Sequence, residues 1–165
     1  HTIVLAATNH EELLDSAVWR RFSYRLQLGY PAPEQRRLLW QQFVAPLPFS
    51  SHDIDLLVDL SEGFSASDIR EATLRLHRRR ITAQVPPTVA DALEALRNLS
   101  TGEGEAGRFL AKLSKASPEE LASALRKRNA KLFSLSALAN LIGVSKATAH
   151  RWADKGVARA NGKRR

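Results

Sequence analysis

An apolar run, Thr2–Thr8 (TIVLAAT), ends on Asn9, and eleven residues later Arg20 and Arg21 stand directly before Phe22. An asparagine amide both donates and accepts, so at a strand end it can hold a water against a phosphate oxygen. Arginine brings a fixed cationic fork that offsets charge spread over transferring phosphoryl oxygens. That order is what a nucleotide-hydrolysing α/β domain needs at the end of its central strand. Each residue alone has a plainer use. An Asn after a strand is a common turn residue, and an Arg pair at a helix end complements the helix dipole.

A second set lies near the other end, in SLSALANLIGVSKATAHRWADK, residues 134–155. Ala139 suits a point where two helices cross, Gly143 supplies a left-handed turn, Val144 plugs the core and Ser145 caps the next helix. Ala149 and Trp152 face inward at i, i+3. The stretch resembles the helix-turn-helix family, in which the second helix enters the major groove by its N-terminal part. The resemblance implies that Ser145, Lys146, His150, Arg151 and Lys155 reach bases or phosphates. Arg159, Lys163, Arg164 and Arg165 would hold backbone. A helical hairpin that docks a protein remains the alternative.

Positioning these residues requires two strands and a series of short helices. Thr2–Thr8 is apolar on both faces, as in a parallel strand buried between helical layers, and Arg25–Leu28 offers a second. Two strands bury too little to stand alone, so the expectation is a piece of a larger domain. Asp15–Phe22 reads as a short helix with Leu14, Val18 and Phe22 on one side. Pro31 and Pro33 open a helix to about Val44, with Leu38, Leu39 and Phe43 as its apolar face and Arg36 in water. Asp53 is the expected N-cap of a helix carrying Ile54, Leu57, Val58 and Leu60. Ser65 caps Ala66 to about Thr82, whose inward positions are Ile69, Ala72, Leu76 and Ile81, and Thr88 caps Val89–Leu99. The Gly-rich run 102–107 reads as a joint, followed by helices over 108–114 and 118–127 and the final pair.

At this point the residues resemble a known family. Ile3–Phe22, IVLAATNHEELLDSAVWRRF, is similar to the second half of the AAA ATPase domain, whose fourth strand ends in Thr-Asn before a short Leu-Asp-x-Ala helix and an Arg preceding Phe. Gly63–Ile69 (GFSASDI) resembles the lid signature Gly-Phe-Ser-Gly-Ala-Asp-Ile, with Ala66 and Ser67 in place of Gly and Ala. The resemblance covers residues 1 to about 98. It implies that Asn9 orients the hydrolytic water and that Arg21 is the finger inserted toward a neighbouring subunit's γ-phosphate. Arg20 and Arg25 are candidates for a second cationic role. The family's Phe-Asp-Arg is Phe22-Ser23-Tyr24-Arg25 here. Gly63, Ser67 and Asp68 would lie near the adenine. The nucleotide-facing position of the lid motif carries no Arg, and Arg70 one turn in is expected to face solvent. ATP and Mg are the implied cofactors, hydrolysed between like subunits of a ring that remodels a protein client. The phosphate-binding loop and the acidic metal ligands of such a domain do not occur in these residues, so this chain by itself is expected to be inactive.

The expected fold is therefore mainly α. A two-strand remnant of a parallel α/β nucleotide-hydrolase core (1–30) precedes a four-helix lid (31–100) and a linker (101–107). A helical domain with the helix-turn-helix (108–157) and a basic tail (158–165) complete it. Charge follows this division: residues 1–105 hold 11 Lys and Arg against 14 Asp and Glu, whereas residues 106–165 hold 14 against 3. The resulting +11 of the second part favours a polyanion, DNA, over a protein partner. No apolar run reaches the length of a membrane span, and with no Cys, disulfides, thiolate nucleophiles and cysteine metal sites are excluded. A reducing, cytoplasmic setting without a membrane partner is the expectation. His1, His10, His52, His77 and His150 lack metal-ligand spacing, and Arg78-Arg79-Arg80 reads as a solvated helix face. Two other readings stay open: a non-enzymatic DNA-binding regulator with a vestigial ATPase remnant, and an adaptor whose C-terminal helices recruit a protein.

Overall fold

A computed structural model describes residues 3–8, 10–100, 104–113 and 116–161, with the side chains of 11, 104–106 and 154–161 excepted. Nine α-helices follow a short 3-10 turn among these residues: α1 Ser16–Trp19, α2 Pro33–Val44, α3 Ser51–Leu60, α4 Ala66–Ala83, α5 Val89–Leu99, α6 Gly104–Lys112, α7 Pro118–Arg128, α8 Leu135–Ile142 and α9 Lys146–Asn161. Helices α2–α5 pack against one another as a bundle; α6 lies against α3 and α5. Helix α7 runs along α9, α8 packs on α9, and α8 also touches α5. One apolar core continues from Trp40 and Leu57 through Leu96 and Leu110 to Phe133, Leu138 and Ala149.

Four helix starts, those of α3, α4, α5 and α7, are set by a hydroxyl and a carboxylate three residues apart. Ser65 accepts from the Asp68 amide while Asp68 accepts from the Ser65 amide, and Thr88 with Asp91 and Ser117 with Glu120 repeat the arrangement. Ser50 and Asp53 do the same for α3, so Ser50, not Asp53, is the N-cap, and Asp53 closes the box from the third helical position. Both residue types cap helices, and here the hydroxyl takes the cap position.

Three further expectations are corrected. No β-ladder forms among the described residues, and 3–8 and 25–28 run without regular structure. Their apolar side chains stay in water: Leu5 is 92% and Leu28 95% exposed. A strand requires a neighbour to take its backbone groups, and none lies alongside. The inward side of α2 is Arg36, Trp40 and Val44, while Leu38 is exposed. Residues 104–107, read as part of a joint, form the first turn of α6, because Leu110 and Leu113 bury in the common core.

The α8–α9 turn follows the pattern read from the residues. Ser134 caps α8 by accepting from the Ala137 amide, and Ser145 accepts from the Thr148 amide at 3.1 Å. Gly143 closes α8 at φ 74°, and the amides of Gly143 and Val144 both donate to the Ala139 carbonyl. No heavy atom lies within 4 Å of a Cβ built on Gly143 or on Gly29. Gly143→Ala therefore meets only left-handed backbone strain, about 1 kcal/mol, and lowers Tm by roughly 2–4 °C in a thermal melt. Gly29→Ala, equally open, stays within about 0.5 kcal/mol of the parent.

Candidate functional site

The turn between α3 and α4 is held from three directions. Arg36, buried in α2, donates through Nε to the Val58 carbonyl at 3.0 Å and through Nη1 to the Pro31 carbonyl at 2.8 Å. Burial pulls its pKa below the ordinary arginine value, and the nearby carboxylates of Glu62, Asp59 and Glu34 oppose that pull. Four residues on, Trp40 Nε1 donates to Ser61 Oγ at 2.9 Å, and Ser61 Oγ donates to the Leu57 carbonyl. The third contact is Arg128, from the end of α7. Its Nε donates to Asp59 Oδ2 at 2.6 Å, and its Nη2 donates to Glu62 Oε2 at 2.8 Å. Burial alone would lower the Arg128 pKa, but the hydrogen bonds and charges of Asp59 and Glu62 outweigh it and raise it.

Pinned in this way, the turn presents Gly63, in left-handed backbone at φ 78°, to one side. There a cavity of about 200 Å³ is lined by Tyr30, Gly63, Phe64, Ser65, Asp68, Leu99 and Gly107. Two of the three lid residues expected near a base, Gly63 and Asp68, meet in it. Ser67 is exposed on the first turn of α4. The Asp68 carboxylate already accepts from the Ser65 amide and hydroxyl, so it shapes the cavity through the cap. Tyr30, Leu99 and Gly107 were missed. They come from an extended segment, the end of α5 and the start of α6, and only tertiary folding brings them together.

The N-terminal candidates are placed unevenly. Asn9 lies outside the described residues. Arg20 ends α1, its amide donating to the Ser16 carbonyl, and the side chains of Arg20 and Arg21 are exposed and enter no ion pair among the described residues. Arg25 is committed elsewhere, its guanidinium 4.7 Å above the Trp19 ring. Arg70 is exposed, as expected. Within the Arg78–Arg80 run, Arg79 pairs with Asp91 at 2.9 Å, and Arg78 lies 3.7 Å from Glu71.

At the other end, Ser145, Lys146, Ala147, His150 and Arg151 are exposed on the first two turns of α9 and the residue before it, while Ala149 and Ala153 are buried and Trp152 is half-buried. The side chains of Lys155 and Arg159, and all of Lys163, Arg164 and Arg165, lie outside the described residues. Among the described residues there is no cluster of three His, Cys, Asp or Glu that could hold a metal ion, and no helix long and apolar enough to cross a membrane.

Relatives of the chain are AAA ATPases, at modest identity over about half of its length. It is 32% identical over 88 residues to a 26S proteasome regulatory subunit homolog of Methanothermobacter marburgensis, a match covering 53% of this chain and 24% of that protein. It is 42% identical over 69 residues to vacuolar protein sorting-associated protein 4 of Dictyostelium discoideum, covering 41% and 16%. With human ATPase family gene 2 protein homolog B it shares 32% over 106 residues, covering 59% and 14%. The matched stretch thus spans about a quarter or less of these relatives. No family model matches the chain, and no solved structure matches it.

The Trp40–Ser61 bond carries a stability consequence. Ser61→Ala strands a buried indole N–H and should cost about 1–3 kcal/mol, read as a lower denaturant midpoint at unchanged slope. A neutral result would remove this bond from the account of the turn.

Proposed function

We propose that the chain is the lid-bearing part of an AAA ATPase, working on ATP shared between like subunits of a ring and coupled to remodelling of a protein client. The observation that carries the reading is the cavity at Gly63 and Asp68, built on the motif by which the chain resembles that family. Its small size and glycine walls suit a flat base edge, and α4 begins beside it. These residues would hold the base side of the nucleotide when it is bound; ATP itself supplies the phosphoryl group. The described residues contain no cluster of three His, Cys, Asp or Glu that could hold magnesium. In this reading the magnesium and the phosphates are held by an α/β core, against which the apolar 3–28 segment would lie. In this reading Asn9 faces the attacking water. Arg21 reaches across to a neighbour's nucleotide, consistent with its exposure, and Arg20 supports it. Gly63, Ser67 and Asp68 border the base.

In the protein extended by a core that carries a phosphate-binding loop, Arg21→Ala should leave ATP affinity within about threefold and lower turnover by roughly 10³-fold. Asn9→Ala should likewise depress turnover more than affinity. Unchanged hydrolysis in Arg21→Ala rejects the finger.

A second activity belongs to the C-terminal helices. Ser145, Lys146, His150, Arg151 and Lys155 would bind duplex DNA, with small Ala147 among them letting the helix approach closely. The exposure of the first four and the +11 charge of residues 106–165 support this over a docking hairpin. Random duplex DNA titrated against the chain at about 50 and 200 mM salt should bind with a strong salt dependence. Lys146→Ala with Arg151→Ala should weaken binding about tenfold and flatten the salt slope by roughly two. Absence of binding at low salt favours the protein-docking alternative.

A further inference from the structure

Arg128 joins two regions that the reading above treats separately. Only 12% of its side chain is exposed. Its guanidinium donates to the Asp59 carboxylate, to the Asp59 carbonyl at 3.1 Å and to Glu62, and lies 5.4 Å over the Phe109 ring. Asp59 and Glu62 stand at the end of α3 and in the turn after it, and Phe109 is in α6. The residue after Glu62 is Gly63, and two residues before Phe109 is Gly107, and both glycines line the lid cavity. Two walls, one from the α3–α4 turn and one from α6, are thus tied, within one or two residues, to the same guanidinium.

The other side of Arg128 is α7. Leu121, Ala122 and Leu125 of α7 are buried, and α7 packs along α9, where Ala149 and Ala153 are buried. Ala149 directly precedes His150 on the helix that exposes Lys146 and Arg151. A close-packed interior passes small rigid shifts on rather than absorbing them. A planar fork bonded to a carbonyl and two carboxylates has little slack, which a flexible lysine ammonium would have.

We propose that Arg128 is a positioning residue that couples the lid cavity to the basic face of α9, so that a polyanion on α9 alters the backbone around Gly63 and Gly107. By linkage, a ligand in the cavity alters the affinity of α9 by the same factor. The inference rests on the reading of α9 as a polyanion-binding surface.

Amide hydrogen exchange of the 165-residue chain, with and without saturating random duplex DNA, tests it. In the parent, exchange at residues 63–68 and 107–109 should change by about threefold or more when duplex is bound, within the range usual for coupled sites. Arg128→Met and Glu62→Gln should lose this response while anisotropy shows duplex affinity kept within about twofold, since neither residue belongs to the α9 surface. Glu62 is the more exposed partner and glutamine keeps its shape, so Glu62→Gln decides the matter where Arg128→Met fails to fold. Duplex bound without change at those amides, or a response that survives in Glu62→Gln, overturns the coupling and leaves the α9 reading standing. No duplex binding at low salt overturns both.

Discussion

The last turn of α3 is where the structure is fastened together. Carbonyls at a helix C-terminus lack intrahelical donors and carry the negative end of the helix dipole. Arg36 from α2 takes the Val58 carbonyl and Arg128 from α7 takes that of Asp59, while Trp40 anchors Ser61 just beyond. Two guanidiniums can share this small region because Asp59 and Glu62 place carboxylate charge between them. The energetics differ on the two sides. For Arg36 desolvation outweighs the nearby carboxylates, whereas for Arg128 the hydrogen bonds and charges of Asp59 and Glu62 together outweigh desolvation. Removing either cation would leave helix-end carbonyls or carboxylates half-buried without a partner, which is why the whole arrangement is needed to aim one glycine.

That glycine opens the lid motif, and its left-handed backbone lets the chain turn from α3 into the Ser65 cap of α4. The cavity beside it is completed by Tyr30 before α2 and by Gly107 within α6. A lid made of α2–α5 alone would lack the Gly107 wall. In the proposed function, the helices that follow the lid therefore belong to the base-binding site as well as to the α9 surface.

Legibility in the residues followed the range of the interaction. Ser65, Thr88, Ser145 and Gly143 act within three or four residues of themselves, and their roles could be read directly; Ser134, which caps α8 in the same way, was not singled out. Helical periodicity placed Ile54, Leu57, Ile69 and Leu76 inward for the same reason, but it placed Ile81 there too, and Ile81 is 76% exposed near the end of α4. Arg36 was read as wet because a charged side chain inside a bundle is uncommon, and only the Val58 and Pro31 carbonyls, distant in sequence or outside the helix, explain its burial. The apolar pattern of 3–8 suggests a strand that does not form, because a strand is a relation between segments and no second one pairs with it among the described residues. Of the candidate site, the motif glycine and Asp68 could be found from the residues. Tyr30, Leu99, Gly107 and the Arg128 cluster could not, since each depends on where a different helix ends.

The unpaired opening segment has a colloidal consequence. Ile3, Val4 and Leu5, with Leu26 and Leu28, offer bare apolar side chains on backbone that enters no β-ladder among the described residues. Any extended peptide at sufficient concentration is a template match for such an edge, including a second molecule of the same chain. In the proposed function, that exposed apolar surface is what the α/β core would cover.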